Sequence, residues 1–350
     1  MNNKNLKNNS SYIFDGWKII EKEFNVKYNF LEEVVFYLGN GYIGIKGGFE
    51  EGDYEQKGTY IKGIYDVQSN VDSEEACAYF GQNENIFNVI NEKIIRIYIE
   101  DEEFNMLKGT IFEYNRTLDL KEGILHRHLI WQSPKGKRVE INTKRMVSFE
   151  NIHLATISYQ VIPLNFSGKI KIISSIDGDI TNSVEEKKLK SASTLKKKSL
   201  NVLKKEVIKS FGAITSETTT TKFVVVCGME NQLLCEGESE VAAKEYDKKI
   251  EVVYTMDGKV NKKIEFNKYI SYFTSKDCPK EKLLIKAKDM VQKSKKTGLS
   301  TIEASQKEFL QEFWGKFDVD IKHDTFINQK IRFNEFSLLQ RNGKAYTLLK

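Results

Sequence analysis

A large antiparallel β-sandwich followed by helices is the fold class this sequence predicts. Three observations predict it. Apolar and polar residues alternate with period two from about residue 30 to 275, turn-forming residues punctuate the alternation, and near residue 277 the period becomes that of a helix.

The strands come first. In EKIIRIYIEDEEF (92–104), Ile95, Ile97 and Ile99 point to one face and Arg96 and Tyr98 to the other. ILHRHLIW (124–131), RVEINTKRMVSF (138–149), HLATISYQVIPL (153–164), GKIKIISSIDGD (168–179), TTKFVVVCGM (220–229) and KKIEVVYTM (248–256) repeat the pattern. Lys121-Glu122-Gly123, Pro134-Lys135-Gly136, Ser167-Gly168, Asp177-Gly178 and Asp257-Gly258 supply the turns between them. Many strands joined by short turns predict a sandwich.

The helices follow. KDCPKEKLLIKAKDMVQKSKKTG (276–298) reads as a helix ended by Gly298. Ser300 or Thr301 is expected to cap the next, whose Ile302, Phe309, Phe313, Trp314 and Phe317 form an apolar stripe. A third helix is expected after Asp324-Thr325, with Ile327, Ile331 and Leu338 sharing a face and Phe336 and Leu339 beside it. A helix so apolar needs a partner, and the sequence reads as stopping short of a larger helical domain. Residues 1–10 read as a disordered polar lead.

Composition narrows the function classes. With 350 residues, 40% hydrophobic and 29% charged, the chain can bury a sizeable core. No stretch is apolar for the ~18 residues of a transmembrane helix, and MNNKNLKNNSSYIF lacks the apolar segment of a signal peptide. Cys77, Cys227, Cys235 and Cys278 stand far apart, which predicts reduced thiols in a cytoplasmic protein. The net charge of +5 is concentrated in 185–210, which holds nine lysines and neither arginine nor an aromatic residue. Nucleic-acid surfaces mix arginine and stacking aromatics into such patches, so this segment predicts a solvated loop or helix face. Lysine-driven binding of an acidic polymer is the rival reading.

LGNGYIGIKGGFEEG (38–52) poses the sharpest chemical question, with six glycines in fifteen residues. A P-loop needs GxxxxGK[ST]; here Lys46 precedes Gly47-Gly48 and no hydroxyl residue follows. A dinucleotide fingerprint needs a helix next, but GTYIKGIYD (58–66) is strand-like. The glycines therefore mark positive-φ turns or close strand approach. Glu50-Glu51 could be an acid pair, but adjacent residues on an extended chain face opposite sides.

His126 and His128, at i and i+2 on a strand, could supply half a metal site, yet zinc needs three or four ligands and His153 and His323 are the remaining histidines. No GxSxG elbow anchors serine catalysis. Trp17, Tyr42, Phe49, Tyr60, Tyr65 and Trp131 could stack on sugars or fill the core.

Trp17-Lys18-Ile19, VVFYLGNGYIGIKGGFEEG (34–52) and GTYIKGIYD together resemble the opening of the family 65 glycoside hydrolases. The resemblance continues through FNVINEKIIRIYIEDEEF (87–104), NRTLDLKEGILHRHLIWQSPKGKRVEI (115–141), 148–182, EFWGKFDVDI (312–321) and NQKIRFNEFSLLQ (328–340). It implies a galactose-mutarotase-like super-sandwich over 11–275, a helical linker over 276–321, and at 322–350 the first helix of an (α/α)6 barrel.

The resemblance also implies an inverting α-glucoside phosphorylase, acting on maltose, trehalose, kojibiose or nigerose. A barrel glutamate protonates the glycosidic oxygen while inorganic phosphate, a co-substrate and not a cofactor, attacks the anomeric carbon and yields β-glucose 1-phosphate. This replaces one carboxylate of ordinary inverting hydrolysis. No metal or cofactor is implied, and neither nucleic acid nor membrane is an expected partner. The sandwich is expected to support the barrel and to help form a homodimer.

After its first barrel helix the family carries a Gly-rich loop and a Phe-Trp-Asp-x-Glu segment; here Gln340 is followed by RNGKAYTLLK, so no catalytic residue carries over. Tyr42, Phe49 and Glu50 are the residues singled out as candidate substrate contacts. A free-standing carbohydrate-binding module is the alternative function.

Overall fold

The computed structural model describes residues 12–27, 29–52, 58–68, 83–86, 88–182, 197–198, 200–322 and 324–348. The expected lead at 1–10, Cys77, His323 and the lysine-rich residues 185–196 lie outside them. Two antiparallel sheets dominate the described residues. The larger has ten strands, ordered Tyr12–Asp15, Lys18–Glu21, Thr110–Asp119, Ile124–Gln132, Arg138–Val147, Leu154–Pro163, Ile264–Thr274, Val224–Leu234, Phe211–Thr218 and Leu200–Ile208. The smaller has five, ordered Ser239–Glu245, Lys249–Gly258, Gly168–Asp177, Ile95–Ile99 and Glu102–Glu103. The fold is mainly β, as the alternation predicts.

The sheets stack through one continuous core. Ile95, Ile97 and Ile99 are buried with Ile170, Ile172, Ile176, Ile250 and Val252, and Ile214, Val225 and Met229 of the larger sheet join them. Arg96 and Tyr98 stay half-exposed, so period two reads this strand correctly. The part of segment 185–210 that is described forms neither loop nor helix: Leu200–Ile208 is a strand pairing with Phe211–Thr218. Its apolar residues Leu200, Val202 and Val207 pack on the core while Lys204 is exposed and Lys205 donates to the carbonyls of Tyr246 and Asp247, a pattern that charge counting obscures.

Beyond the smaller sheet, a short helix, α1 (Asn29–Val35), and a three-stranded sheet of Leu38–Gly39, Ile43–Ile45 and Thr59–Ile61 cover the larger one. Three longer helices close the chain. Helix α2 (Lys280–Thr297) lies across Val224–Leu234 and Ile264–Thr274, burying Leu283 and Ala287 against Val224, Val226 and Phe273. Gly298, at φ +85°, ends α2 and caps α3 (Leu299–Phe317). Ser300 and Thr301, expected as caps, sit inside the first turn of α3 instead, because the left-handed glycine turns the chain directly into it. Helix α3 buries Ile302, Leu310, Phe313, Trp314 and Phe317, and Phe309 stacks on Phe149 at 5.1 Å.

Helix α4 (Thr325–Asn342) starts where expected, with Asp324 Oδ1 accepting from Ile327 N at 2.9 Å. Its buried face differs from the expected one. Asn328, Gln329, Arg332 and Gln340 are buried beside Phe336 and Leu339, while Phe326, Ile327 and Leu338 are exposed. The surface beneath is the reason. The first hairpin turns backbone carbonyls toward the helix, and Gln329 Nε2 donates to those of Lys18 at 2.7 Å and Asp15 at 3.2 Å. Arg332 donates to Gly16 O at 3.0 Å, pairs with the Asp318 carboxylate at 2.7 Å, and lies 3.9 Å over the Trp17 ring. Unpaired buried carbonyls cost more than apolar contact returns, so the polar face wins.

Candidate functional site

The glycine-rich segment sits on three arginines. Arg116, Arg127 and Arg145 occupy adjacent strands of the larger sheet at positions where period two calls for apolar residues. Arg116 and Arg127 are direct cross-strand partners, and Arg145 lies opposite Leu125, one step along. All three are buried. Isolated, they would be prohibitively costly in a sheet core; the chain above binds each of them, with Arg127 Nε left without a hydrogen-bond partner among the described residues.

Arg145 reaches the carbonyls of Lys46 at 3.1 Å and Gly48 at 2.6 Å, and binds the Glu50 carboxylate through Nε at 3.0 Å. Arg127 forms a two-pronged pair with Glu51 at 2.6 and 2.8 Å and touches Glu50 at 3.2 Å. Tyr159 Oη adds a 2.6 Å hydrogen bond to Glu51. Arg116 binds Glu21 at 2.7 Å, Glu32 of α1 at 3.2 Å and Gly47 O at 3.2 Å. The Phe49 ring lies against Arg116 at 4.7 Å and Arg127 at 5.0 Å. The segment thus offers carbonyls and carboxylates to guanidiniums, the reverse of a phosphate cradle, in which N–H groups face an anion.

Glu50 and Glu51 sit in a turn, not on extended chain, and the turn lets both converge on Arg127. Burial alone would push the Glu50 carboxyl up, but Arg145 and Arg127 outweigh it and hold it below the usual carboxylate range. A carboxylate so held is a poor proton donor. Glu32 behaves oppositely: burial, then a hydrogen bond with Glu21, pushes it up to about 8. Among the described residues Glu21 Oε1 is buried without an N–H or hydroxyl partner, so a protonated Glu32 can donate to it. Three guanidiniums then face three carboxylates and one neutral acid.

Two glycines show why this segment is so small-sided. A Cβ on Gly47 would lie 2.4 Å from the Phe36 Cβ. Gly41, at φ +84°, has the backbone of Asn342 and Gly343 against it, where a Cβ would meet Gly343 N at 2.5 Å. There the C-terminal end of α4 plugs in. Gly39 N donates to Gln340 Oε1 and Gly41 N to Gln340 O, both at 2.7 Å.

The other residues singled out from the sequence are dispersed. Phe49 and Glu50 are buried within the arginine platform. Tyr42 is half-buried; its hydroxyl donates to the Asp277 carboxylate and its ring meets His153 edge-on at 4.5 Å. Trp131 is buried with Phe104 against it at 5.2 Å. Tyr65 packs on Phe223 at 5.3 Å. His126 and His128 do share a face, and His128 Nδ1 meets Asn142 Oδ1 at 2.9 Å, but no group of three metal-ligating side chains occurs among the described residues. Cys227, Cys235 and Cys278 are free thiols. No described helix is long and apolar enough to cross a membrane.

An open cleft of about 550 Å³ lies between the first hairpin and α3, lined by Trp17, Lys18, Lys121, Gln311 and Trp314 among others. Lys121 lies 4.6 Å over the Trp17 ring and Arg332 3.9 Å from its centroid, so cations occupy the indole.

The arginine platform is the feature that sequence reasoning missed. Its signal was present: Arg116 between Tyr114 and Leu118, Arg127 between Leu125 and Leu129, and Arg145 between Thr143 and Val147 each interrupt a buried-face register.

Two stacked antiparallel sheets, a glycine-rich entry clamped by buried arginines and helices closing over them define a β-sandwich module. The chain belongs to glycosyl hydrolase family 65: residues 19–313 match the model of that family's N-terminal domain. It is 38% identical to an α,α-trehalose phosphorylase of Thermoanaerobacter brockii, over 95% of this chain and 44% of that protein. It is 29% identical to a kojibiose phosphorylase of the same organism, over 93% and 41%. A solved structure from the human microbiome, named for kojibiose phosphorylase, superposes with a TM-score of 0.81 at 21% identity, covering 94% of this chain and 42% of that one. At that identity the likeness carries the fold alone. The chain spans about two fifths of the length of the curated relatives it matches.

Proposed function

We propose that this chain serves as the N-terminal, non-catalytic part of an inverting α-glucoside phosphorylase, an enzyme that converts an α-glucosyl disaccharide and phosphate to β-glucose 1-phosphate and glucose. In this reading residues 11–275 are the supporting sandwich, 276–321 a linker, and 322 onward the first helix of a barrel that carries the general acid. The disaccharide and phosphate are partners of the whole enzyme, which works as a homodimer in the cytoplasm. The observation that carries the reading is the match to the family's N-terminal domain over residues 19–313.

Chemistry on this chain supports the same division of labour. Glu50 and Glu51, the adjacent acids of the glycine-rich segment, are spent on Arg127 and Arg145. Phe49 and Glu50 serve in this proposal to seat the segment on the platform, and Tyr42 ties it to Asp277 and His153, so that all three act on substrate only through what packs above them.

Two assays test it together. The isolated chain, given phosphate and trehalose, kojibiose, maltose or nigerose, should release no glucose 1-phosphate. A chimera in which this chain replaces the matching region of the Thermoanaerobacter brockii trehalose phosphorylase should be active. Phosphorolysis by the isolated chain, or a folded but inert chimera, would overturn the reading.

A further inference from the structure

Lys307, Gln311, Trp314 and Asp318 follow one another at i, i+4, i+7 and i+11 along α3 and its cap, so they share one face of that helix. That face is one wall of the open cleft of about 550 Å³. The opposite wall comes from two turns, at 15–18 and 119–122, joined where Lys18 pairs directly with Asp119 across the strands. A cleft of this volume is in the range that holds a small molecule.

Its charges balance. Asp15, Asp119 and Glu122 face Lys18, Lys121 and Lys307, and the fourth carboxylate, Asp318, is taken by Arg332 at 2.7 Å. Such a site gives neither an anion nor a cation a net attraction. The ion pairs inside it are loose. Lys307 Nζ lies 3.4 Å from Glu122 and Lys18 Nζ 3.6 Å from Asp119, beyond the ~2.7–2.9 Å of a tight charge-assisted hydrogen bond. The two lysine side chains are 55% and 44% exposed. A hydroxyl group suits a pair of this kind, because it accepts from the ammonium and donates to the carboxylate at once. Gln311 is exposed and adds an amide donor and acceptor.

The cleft also has an apolar floor. Trp17 and Trp314 meet edge to face at 5.1 Å, and Trp314 Nε1 fixes its ring by donating to Leu120 O at 2.8 Å. Arg332 is held beside Trp17 by Asp318 and the Gly16 carbonyl. Lys121, 4.6 Å over the same ring, is exposed and has no ion pair among the described residues. Its ammonium is free to move from the indole to a ligand oxygen, which uncovers ring surface for C–H groups.

We propose that this cleft binds a neutral pyranose sugar of about disaccharide size, its hydroxyls bridging the lysine–carboxylate pairs and its C–H face resting on Trp17. It is a holding site. Asp119 Oδ1 accepts from Lys121 N at 2.9 Å and Glu122 N at 3.1 Å, and Asp15 Oδ1 from Trp17 N at 2.9 Å, so these carboxylates shape the turns that carry them. The site goes beyond the phosphorylase reading: it stands on the cleft and is read by binding, not turnover, so the two fail separately.

The chain has three tryptophans, and two of them line the cleft, while Trp131 is buried against Phe104. Tryptophan fluorescence of the 350-residue chain, titrated with trehalose, maltose and maltotriose, therefore reports on the cleft directly. A saturable change is expected with at least one of these sugars, and none with inorganic phosphate or spermidine. Gln311→Ala and Lys307→Ala should each weaken binding by about fivefold, the worth of one hydrogen bond. Both positions are exposed, so circular dichroism and melting temperature should not move. No saturable response to any of the sugars, unchanged affinity in both variants, or a charged probe that binds as tightly as the sugars would each overturn the proposal.

Discussion

Gln340 Oε1 accepts the amide proton of Gly39 at 2.7 Å across 301 residues of chain. The carbonyl of the same residue accepts from Gly41, so a single glutamine at the end of α4 closes the glycine-rich segment from above. The arginines hold that segment from below.

Gln340→Ala should leave a buried Gly39 N–H without an acceptor, at a cost of about 1–3 kcal/mol. Gly41→Ala strains a positive φ and drives a methyl group into Gly343. A cost of about 1–2 kcal/mol for the backbone alone is expected. In both variants amide hydrogen exchange across 325–342 should accelerate while that of Ile95–Ile99 stays slow. Unchanged exchange in α4 would count against the joint.

Arg127→Met removes the cation that holds two buried carboxylates. Because Glu50 and Glu51 remain, the cost should be about 3–5 kcal/mol, read as a large fall in melting temperature. A triple change that also converts Glu50 and Glu51 to glutamine should recover much of the loss. If the triple variant is no better than the single one, packing and not charge is the dominant contribution of Arg127.

Glu32 makes stability depend on pH. Its folded carboxyl titrates near 8, against an ordinary value of 4.5, so between those values the folded chain holds a proton that the unfolded chain has released. Stability should therefore fall as pH rises from about 4.5 to 8, by up to about 1.4 kcal/mol per pH unit from this group, and level off above. Glu32→Gln should flatten that fall and exceed wild type in stability near pH 8. Denaturant titrations across this range would show it, and an unchanged slope would refute it.

Lys268 acts with the opposite sign. Burial lowers its ammonium to about 7, despite Cys227 and Glu92 nearby, and Nζ donates to Ser175 O at 2.8 Å and Ile94 O at 3.2 Å. Between about 7 and 10.5 the unfolded chain holds the extra proton, so stability should climb with pH in that window. Lys268→Met should abolish the climb. Persistence of the climb in that variant would assign it to another group.

Much of the sandwich was legible because its rule is local. Ile95, Ile97 and Ile99 announce a half-buried strand without knowledge of anything else, and Gly298 announces a helix end. The platform was not legible in the same way. Glu50 finds Arg145 across 95 residues and Glu51 finds Arg127 across 76, so no spacing in the sequence links them. A polar residue inside an apolar register marks that something must meet it, but not what. Helix α4 misled for a related reason. Its isoleucines suggested an inward face, whereas the hairpin carbonyls at Asp15, Gly16 and Lys18 chose the amides and the guanidinium.

That choice has a mechanical consequence. Oil-like contacts tolerate sliding and rotation, whereas hydrogen bonds from Gln329 and Arg332 to fixed carbonyls, and to Gln340 from the fixed amides of Gly39 and Gly41, permit one azimuth and one axial offset. Helix α4 is therefore indexed like a keyed shaft, and any element that later seats on Phe326, Ile327 and Leu338 takes its alignment from the first hairpin, hundreds of residues upstream.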